Sequence, residues 1–311
     1  MIVLSYNVEK SILRVLREIN KLGVKIFVID DKSKDKSKLL IEDFIQSNNK
    51  IELIENKKNL GAGASLKKAL IYADSKNFDV FIKVDGDDQF LINDIESIYN
   101  LLLNEDYDFI KSNRFWSDGI VGKIPFHRLV GNIIATLMMH ISTGTNKLYD
   151  PLNGLFGGNI SIIKFLDSRY YPKRYGYPFF FITESINNYL KIFQFNNTIK
   201  YADEKSNLKT LRVFLTLLSI TLRSFLNKIK FKTTKDTLQF SAFLDIVFIL
   251  FSILFIFSFG KTFSYYFIPY NDGNQGQWLI IGLFFLFSSV FIFNKSFKIE
   301  SITKNKNIYI K

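Results

Sequence analysis

Three polar side chains close together in the sequence could hold a divalent metal ion. Asp85, Asp87 and Gln89 follow the hydrophobic strand predicted at Val80–Val84, and the glycine between the two aspartates lets both carboxylates turn toward one point. Mg²⁺ and Mn²⁺ prefer such oxygen ligands and commonly share them with substrate phosphates. A metal held there would bridge a diphosphate and offset the charge on its leaving group. The alternative is an Asp-Gly turn that caps the next helix.

A second acidic pair follows another apolar run. Asp30 and Asp31 come directly after Val24–Ile29, and one of the two carboxylates could accept hydrogen bonds from a ribose or a base edge. Ser33 or Asp35 could cap the helix that follows. Capping alone is an equally good interpretation of Asp31 and Asp35.

Glycines open the helix that begins near residue 61. In the segment Asn59–Ser65, Gly61 and Gly63 let the backbone come close to a ligand or to another part of the chain. The spacing matches neither a dinucleotide-binding fingerprint nor a P-loop. We interpret it as close packing at a nucleotide site, with anion binding as the less favoured alternative.

These residues lie where predicted strands end or predicted helices begin. Predicted strands and helices alternate along this part of the chain, as in a sheet built from β–α units. In open α/β folds, ligands bind at the carboxyl ends of the strands. The sequence therefore predicts an α/β domain over residues 1–210 with a mostly parallel central sheet. The predicted strands are Ile2–Leu4, Val24–Ile29, Ile51–Ile54, Val80–Val84 and Phe109–Ile110, and two of the predicted helices are Gly61–Ala73 and Ile92–Leu103.

Composition narrows the classes of protein to consider. The net charge is +12, but dispersed lysines among asparagine and isoleucine account for much of it. Nucleic-acid binding is disfavoured because no basic stripe alternates with aromatic residues. The absence of cysteine excludes disulfides, thiolate metal sites and cysteine nucleophiles. The apolar run Met1–Leu4 is too short for a signal peptide.

Long apolar runs begin after residue 210. The run Val213–Leu222 is too short to cross a bilayer, so we predict an interfacial helix with a basic linker over residues 211–236. Ala242–Phe259 and Trp278–Phe293 approach the length of a membrane-spanning helix, which is about 17–25 residues. The alternative is a pair of buried core helices. We predict a two-helix transmembrane hairpin with a basic tail over residues 237–311.

The placement of charge predicts the orientation of this hairpin. Lysines crowd before the first run and after the second, whereas the connecting loop 260–276 carries only Lys261. By the positive-inside rule, both ends of the hairpin face the cytoplasm. We therefore expect an integral protein of the cytoplasmic membrane, with the α/β domain and both termini in the cytoplasm.

Several motifs, taken in chain order, resemble family 2 glycosyltransferases, in particular the dolichol-phosphate mannose synthase type and its bacterial polyprenyl-phosphate relatives. Each motif is weak alone, but eight in register are specific. Ser5, Lys32 and Ser112 depart from the residues common in that family. The matching residues are Ser5-Tyr6-Asn7-Val8-Glu9, Asp30-Asp31 with Ser33 and Asp35, Asn59 with Gly61 and Gly63, Asp85 with Asp87 and Gln89, Ser112-Asn113-Arg114, Asp150-Pro151-Leu152-Asn153-Gly154, Glu184, and Tyr201–Ser206.

The resemblance implies a GT-A fold, that of nucleotide-diphospho-sugar transferases, and an inverting, metal-dependent reaction. One sugar would move from GDP-mannose or a UDP-hexose to a polyprenyl or dolichyl phosphate, with Mg²⁺ or Mn²⁺ as cofactor. The implied metal ligands are Asp85, Asp87 and Gln89. The implied nucleotide-binding residues are Ser5, Tyr6, Asn7, Glu9, Asp30, Asp31, Gly61 and Asp85. The implied acceptor-binding residues are Arg114, Arg128, Asn153, Glu204 and Ser206.

The chemistry of the acceptor decides which further residues would act. A phosphate monoester is already anionic at neutral pH, so it needs no general base, and Arg114 and Arg128 could hold it. A salt bridge is the ordinary alternative for Arg128. A hydroxyl acceptor, as in polysaccharide or glycolipid synthesis, would need a carboxylate base, and Asp150 and Glu184 are the candidates. A non-catalytic membrane scaffold that keeps the fold is the alternative from another class.

Overall fold

A computed structural model describes residues 1–115, 126–167, 170–197, 210–234, 238–267 and 275–310. The predicted loop Tyr201–Ser206, with Glu204 and Ser206, lies outside these residues. The chain divides into two compact units. The first contains Met1–His140, Lys147–Leu222 and Asn307–Lys311, and the second contains Ile141–Asn146 and Arg223–Lys306.

An eight-stranded sheet forms the centre of the first unit. Its strand order is β3-β2-β1-β4-β6-β5-β7-β8. Strand β6 runs antiparallel to β4 and β5, and all other neighbouring pairs are parallel. The predicted mostly parallel sheet is therefore confirmed. The strands are β1 Ile2–Ser5, β2 Ile26–Asp30, β3 Ile51–Glu55, β4 Val80–Asp85, β5 Phe109–Asn113, β6 Phe156–Asn159, β7 Ile192–Asn196 and β8 Ile308–Ile310.

Helices cover both faces of this sheet. In β1, Ile2 and Leu4 belong to one buried apolar cluster and Val3 to another, as expected for strands that are buried on both sides. The helices are α1 Ile12–Asn20, α2 Ser37–Gln46, α3 Ala62–Ser75, α4 Ile92–Asn104, α5 Phe126–Thr143, α6 Tyr177–Asn187, α7 Thr210–Thr233, α8 Gln239–Phe267 and α9 Gln275–Lys304. Two 3₁₀ segments cover Ile160–Asp167 and Asn305–Asn307.

The registers of the central strands bring the predicted polar residues to one edge. Ser5 lies opposite Asp30 on β2, and Leu4 lies opposite Asp85 on β4. Because these strands are parallel, their carboxyl ends share one side of the sheet. Both acidic strand ends therefore stand beside the same central strand.

The chain adds its last strand to the sheet after the two long apolar helices. Strand β8 pairs in parallel with β7. The Asn307 side chain donates to the Tyr189 carbonyl at 2.8 Å, and Lys147 Nζ donates to the Ile308 carbonyl at 3.3 Å. The segments that precede and follow α8 and α9 in the sequence therefore both belong to the first unit.

The second unit contains the two long apolar helices, whose side chains pack ring against ring. The Phe251 and Phe285 ring centroids are 5.5 Å apart, and those of Phe248 and Phe293 are 5.0 Å apart. Gln239–Ser264 and Gly276–Asn307 are long and apolar enough to cross a membrane, and only 22% and 11% of their most apolar windows are buried. Helices at the core of a soluble protein would be mostly buried.

Five charged side chains are buried together in this second unit. Lys232 Nζ lies 2.7 Å from Asp245 Oδ2 and 2.8 Å from Glu300 Oε2. Lys228 and Lys304 pair with Glu300 at 3.1 and 2.9 Å, and each also donates to a backbone carbonyl near the end of α5. Lys228 and Lys232 fall in the range predicted to contain a basic linker. They lie instead on one continuous helix, α7, and are counter-ions of buried carboxylates.

Candidate active site

Asp85 ends β4, and a buried lysine lies beside its carboxylate. Lys83 Nζ is 2.6 Å from Asp85 Oδ2 and donates to the Gly154 carbonyl at 3.0 Å. The two side chains share a face of the strand because they are two residues apart. Lys83 is fully buried, whereas the Asp85 side chain is 30% exposed. The lysine thus holds one carboxylate oxygen from behind, and the aspartate remains accessible.

The turn after β4 carries the second aspartate, two residues after the first. Burial raises the pKa of the Tyr177 hydroxyl well above its ordinary value, and the negative charges of Asp85 and Asp87 raise it further. The Gln89 backbone amide donates to Asp87 Oδ1 at 3.3 Å. The intervening Asp88 has a positive φ of 61° and pairs with an arginine of α1 at 2.7 Å.

The predicted D-P-x-N-G segment packs directly on the strand tip. A Cβ atom added to Gly154 would lie 2.6 Å from Asp85 Oδ2 and 3.0 Å from Lys83 Nζ, so this position accepts no side chain without displacing one of them. Asn153, in the same segment, donates to Ser112 Oγ at 2.9 Å. The segment carries structural contacts between β4 and β5 and encloses one side of the Asp85 carboxylate.

Asp150 begins this segment and holds Arg114 in a fixed orientation. Arg114 Nε and Nη2 donate to Asp150 Oδ2 and Oδ1 at 2.7 and 2.6 Å. The Arg114 backbone amide and Asn132 Nδ2 donate to the same carboxylate at 3.0 and 2.7 Å. Burial by itself would raise the pKa of Asp150, but the guanidinium beside it holds that pKa below its ordinary value. With four donors bound, the carboxylate is placed to position Arg114 rather than to accept a proton.

A second buried strand lysine supports the same turn. Lys111 Nζ donates to the carbonyls of Ser112, Tyr149 and Asp150 at 2.9, 3.0 and 2.9 Å. Burial lowers its pKa to about 8, although the Asp150 carboxylate opposes the shift. The turn needs this support because Asp150 adopts a positive φ of 53°.

Sequence reasoning missed both of these lysines, although a signal was present. Each follows Phe-Ile in an apolar strand, at Phe81-Ile82-Lys83 and Phe109-Ile110-Lys111. A lysine inside a strand that is buried on both faces needs a partner, because lysine is almost never fully buried unpaired.

The acidic pair after β2 bonds to the protein's own backbone. Asp30 accepts bonds from the Ser33 amide at 2.9 Å and from Ser33 Oγ at 2.5 Å. Asp31 accepts from the Leu60 and Gly61 amides at 2.8 and 2.7 Å. Both aspartates are buried. The structure therefore places both aspartates as supports for the loops at this edge. The bonds of Asp31 reach the segment before α3 and not the start of α2, the helix that follows β2.

The first loop of the chain interlocks with the loop after β2. The Asn7 amide donates to Ser33 Oγ at 3.1 Å, and the Glu9 amide donates to Asp35 Oδ2 at 3.0 Å. In return, the side chains of Asn7 and Glu9 accept from backbone amides of the second loop at 2.7 and 2.9 Å. Tyr6 remains 41% exposed beside this junction.

The glycines that open α3 pack against another chain segment. The Gly63 and Ala64 amides donate to the carbonyls of Arg174 and Lys173 at 3.2 and 2.7 Å. A Cβ on Gly61, which has a φ of 96°, would collide with Arg174. Close packing, the favoured interpretation, is thus what the structure shows. Anion binding is disfavoured because two of these amides already donate to carbonyls.

The remaining predicted residues lie on helices. Arg128 is half-buried on α5, and Glu184 is half-buried on α6. His140 Nε2 bonds to the Leu148 carbonyl at 2.8 Å. Burial lowers its pKa.

The donor chemistry at the strand tip fits a hard divalent cation. Two carboxylates and one side-chain amide carry oxygen atoms of the kind such a cation prefers. Lys83 contacts Asp85 Oδ2, and the Asp85 side chain is 30% exposed. Across the described ranges, no group of three or more histidine, cysteine, aspartate or glutamate side chains could hold a metal ion. A cation at this place therefore needs further oxygen ligands, such as those of a diphosphate.

In the part of the chain that the structure describes, one antiparallel strand lies in a mostly parallel sheet, and this architecture, with the acidic tip of β4, is that of the GT-A fold class. More specifically, the chain belongs to glycosyl transferase family 2, whose sequence profile matches residues 1–170. This confirms the predicted fold class and the predicted family.

Two proteins illustrate what this chain is similar to. The uncharacterized protein MJ0544 of Methanocaldococcus jannaschii is 28% identical over 207 residues, which are 65% of this chain and 88% of that protein. Glucosyl-3-phosphoglycerate synthase of Mycobacterium tuberculosis, solved with Mn²⁺, UDP-glucose and phosphoglyceric acid, matches with a TM-score of 0.53 and 17% identity. That match covers 71% of this chain and 78% of the synthase. At this identity the likeness shows a shared fold.

Proposed function

We propose that this glycosyltransferase transfers one sugar from a nucleoside diphosphate sugar, GDP-mannose or a UDP-hexose, to a polyprenyl phosphate at the cytoplasmic membrane face. The observation that carries the proposal is the Asp150–Gly154 segment. Its first residue clamps Arg114, and its last lies against Asp85. One short segment thus joins a site for a metal-bound diphosphate to a cation suited to an acceptor phosphate.

The donor side is the edge formed by β1, β2 and β4. The diphosphate would supply the oxygen ligands that Asp85, Asp87 and Gln89 do not provide alone. Mg²⁺ or Mn²⁺ bound there would offset the charge on the departing nucleoside diphosphate. The solved M. tuberculosis synthase with Mn²⁺ and UDP-glucose supports this class of donor. Tyr6, exposed at the junction of the first two loops, would contact the nucleotide.

The acceptor side favours a phosphate over a hydroxyl. Asp150 accepts four hydrogen bonds and holds a guanidinium, so its arrangement suits positioning and not proton removal. A phosphate oxygen is already anionic and attacks the anomeric carbon without a base. Arg114 would orient the phosphate, since a guanidinium fork matches phosphate oxygens. Displacement from the face opposite the leaving group inverts the anomeric carbon.

A lipid acceptor is supported by apolar surface on two helices of the first unit. On α5, Phe126, Val130, Ile133 and Leu137 are exposed at helical spacing, which is the pattern of a stripe along one face. On α7, Leu211 and its neighbours present another exposed apolar stretch. Such faces suit the interface of a bilayer, where a long isoprenoid chain must stay.

The return of the chain to the sheet supports an even number of membrane crossings. Strands β1 and β8 belong to one sheet, although the two long apolar helices separate them in sequence. If α8 and α9 both cross the bilayer, the segments before and after them face the same side. The lysines near the ends of the two helices support the cytoplasm as that side.

Sugar transfer into lipid tests the proposal. Membranes or purified full-length protein would receive radiolabelled GDP-mannose, UDP-glucose or UDP-galactose with Mn²⁺ and a polyprenyl phosphate, and the organic extract would be counted. We expect label in the extract only with a phosphorylated lipid and a divalent cation, and none with Asp87→Asn. Transfer to a dephosphorylated polyprenol would instead favour a hydroxyl acceptor with Glu184 as the base. Absence of transfer together with absence of nucleotide binding would favour a scaffold.

A further inference from the structure

Lys83 occupies one oxygen of an aspartate that the proposed function assigns to the metal. Its Nζ lies 2.6 Å from Asp85 Oδ2, 3.0 Å from the Gly154 carbonyl oxygen and 5.2 Å from the centroid of the Tyr177 ring. An ammonium has three hydrogens, and it has three neighbours here: one carboxylate oxygen, one carbonyl oxygen and one aromatic ring. Because the side chain is fully buried, Lys83 cannot touch a substrate from this position.

We propose that Lys83 is a resident counter-ion of the donor site, which keeps the affinity for free metal low and allows the diphosphate to enter. This inference rests on the proposed function of Asp85 and Asp87 as metal ligands. Its subject is how that site is regulated: the metal would be bound only together with the nucleotide.

The charges at the tip of β4 explain why Lys83 would lower the affinity for free metal. Without Lys83, Asp85 and Asp87 would present two negative charges that repel a diphosphate and attract a free divalent cation. The ammonium cancels one of these charges and competes for Asp85 Oδ2. In the described residues no third acidic or histidine ligand strengthens the hold on a free ion. The oxygens and charges of the nucleotide then supply what a stable metal complex lacks.

A purely structural lysine would give a different result. If Lys83 only filled the interior of β4, then replacing it would weaken every binding step together, in parallel with a loss of thermal stability. A counter-ion instead moves two affinities in opposite directions. Its removal strengthens the binding of Mn²⁺ alone and weakens the binding of nucleotide in the absence of metal.

The experiment measures these two affinities on the purified full-length protein. Paramagnetic resonance would report free Mn²⁺ during a titration without nucleotide, and calorimetry would report GDP and UDP binding with EDTA and with Mn²⁺. For Lys83→Met we expect Mn²⁺ alone to bind about tenfold more tightly and metal-free nucleotide to bind about tenfold more weakly. Lys83→Arg, which keeps the charge, should resemble the wild type.

Two further variants guard against a folding artefact. Lys111→Met removes the matching buried lysine of β5, which bonds to carbonyls and not to Asp85, so nucleotide-free Mn²⁺ affinity should change little. Lys83→Gln is a second neutral replacement that can still donate to the Gly154 carbonyl. The wild type alone is also informative, because tight Mn²⁺ binding without nucleotide would overturn the inference.

The outcomes separate this inference from the proposed function. If the wild type binds neither nucleotide with Mn²⁺, the donor site itself is wrong. If the wild type binds Mn²⁺ with nucleotide, but the neutral variants bind Mn²⁺ alone no better than it does, the donor site stands and the counter-ion role is refuted.

Discussion

Asp150 grips Arg114 through two parallel hydrogen bonds of 2.6 and 2.7 Å, and the same carboxylate accepts the Arg114 backbone amide. The pair is held at the end of β5, where the Asp150 side chain is fully buried and the arginine is 22% exposed. The guanidinium can therefore meet a ligand, whereas the aspartate meets only the protein.

Arg114→Lys tests whether this grip positions an acceptor phosphate. A lysine keeps the positive charge but cannot contact two oxygens of the acceptor phosphate at once, as the guanidinium fork can. We expect the KM for polyprenyl phosphate to rise by about tenfold or more, because one charge-assisted bond of roughly 1.5–3 kcal/mol is lost. The affinity for nucleotide with Mn²⁺ should stay within about twofold of the wild type. A change confined to nucleotide affinity would contradict an acceptor role.

Gly154→Ala tests the close approach of the loop to the metal site. The new Cβ would lie 2.6 Å from Asp85 Oδ2, so the carboxylate must move away from its place. We expect binding of nucleotide with Mn²⁺ to weaken by about tenfold or more, since a short displacement of a ligand is costly at a fixed site. Calorimetry would measure it.

Gly131→Ala is the matched control for that substitution. A Cβ at this exposed position of α5 meets no atom within 4 Å, and alanine favours the helix by about 1 kcal/mol. Nucleotide binding should be unchanged and the melting temperature equal or higher. Equal effects of the two alanines on nucleotide binding would show that Gly154 has no special relation to the site.

We predict that the buried Lys111 makes the free energy of unfolding depend on pH. Burial lowers its pKa from 10.5 to about 8, so between these values the unfolded chain binds more protons than the folded one. The free energy of unfolding contributed by Lys111 therefore rises with pH across this window, by about 3 kcal/mol in total. Denaturant unfolding between about pH 7 and pH 10.5 would show this rise in the wild type relative to Lys111→Met. A constant difference between the two proteins would contradict it.

The buried charges of the second unit predict a large loss of stability from one substitution. Lys232→Met leaves Asp245 buried without its ion-pair partner and removes one partner of Glu300. Breaking a buried pair in this way costs about 3–5 kcal/mol, which thermal unfolding in detergent would detect as a lower melting temperature. Lys298→Met removes an exposed lysine of α9 and is the control. Similar melting temperatures for the two variants would show that the cluster does not stabilise the unit.

The first five strands could be predicted because their signals are local. Runs such as Val80–Val84, which is apolar apart from one lysine, lie in a sheet covered on both faces, where a mostly hydrophobic run marks a strand. By contrast, β6 has the sequence Phe156-Gly157-Gly158-Asn159, and paired glycines resemble a loop. They are required there because a Cβ on Gly157 would meet the Phe81 carbonyl oxygen at 2.7 Å. Strand β8, with three residues, exists only because β7 offers it an edge.

The site was predicted in part because its acidic residues come in motifs, whereas their partners do not. Nothing in the local sequence shows that Asp31 turns to the amides of Leu60 and Gly61, since that contact depends on how β2 and β3 pair. In the same way, the occupation of Asp85 by Lys83 depends on the loop that ends at Gly154. At this edge of the sheet, contacts between segments that are distant in sequence decide whether an aspartate supports a loop or is available to bind a metal or nucleotide. The residue type alone does not decide it.

The central claim is that Asp85 and Asp87 hold a nucleoside diphosphate through a divalent cation. The most direct measurement is calorimetric titration of the wild type and Asp87→Asn with GDP and UDP, each with Mn²⁺ and with EDTA. The account predicts that at least one nucleotide binds the wild type with Mn²⁺ and that Asp87→Asn loses this binding. Binding to Asp87→Asn at wild-type strength, or no binding of either nucleotide to the wild type, would contradict it.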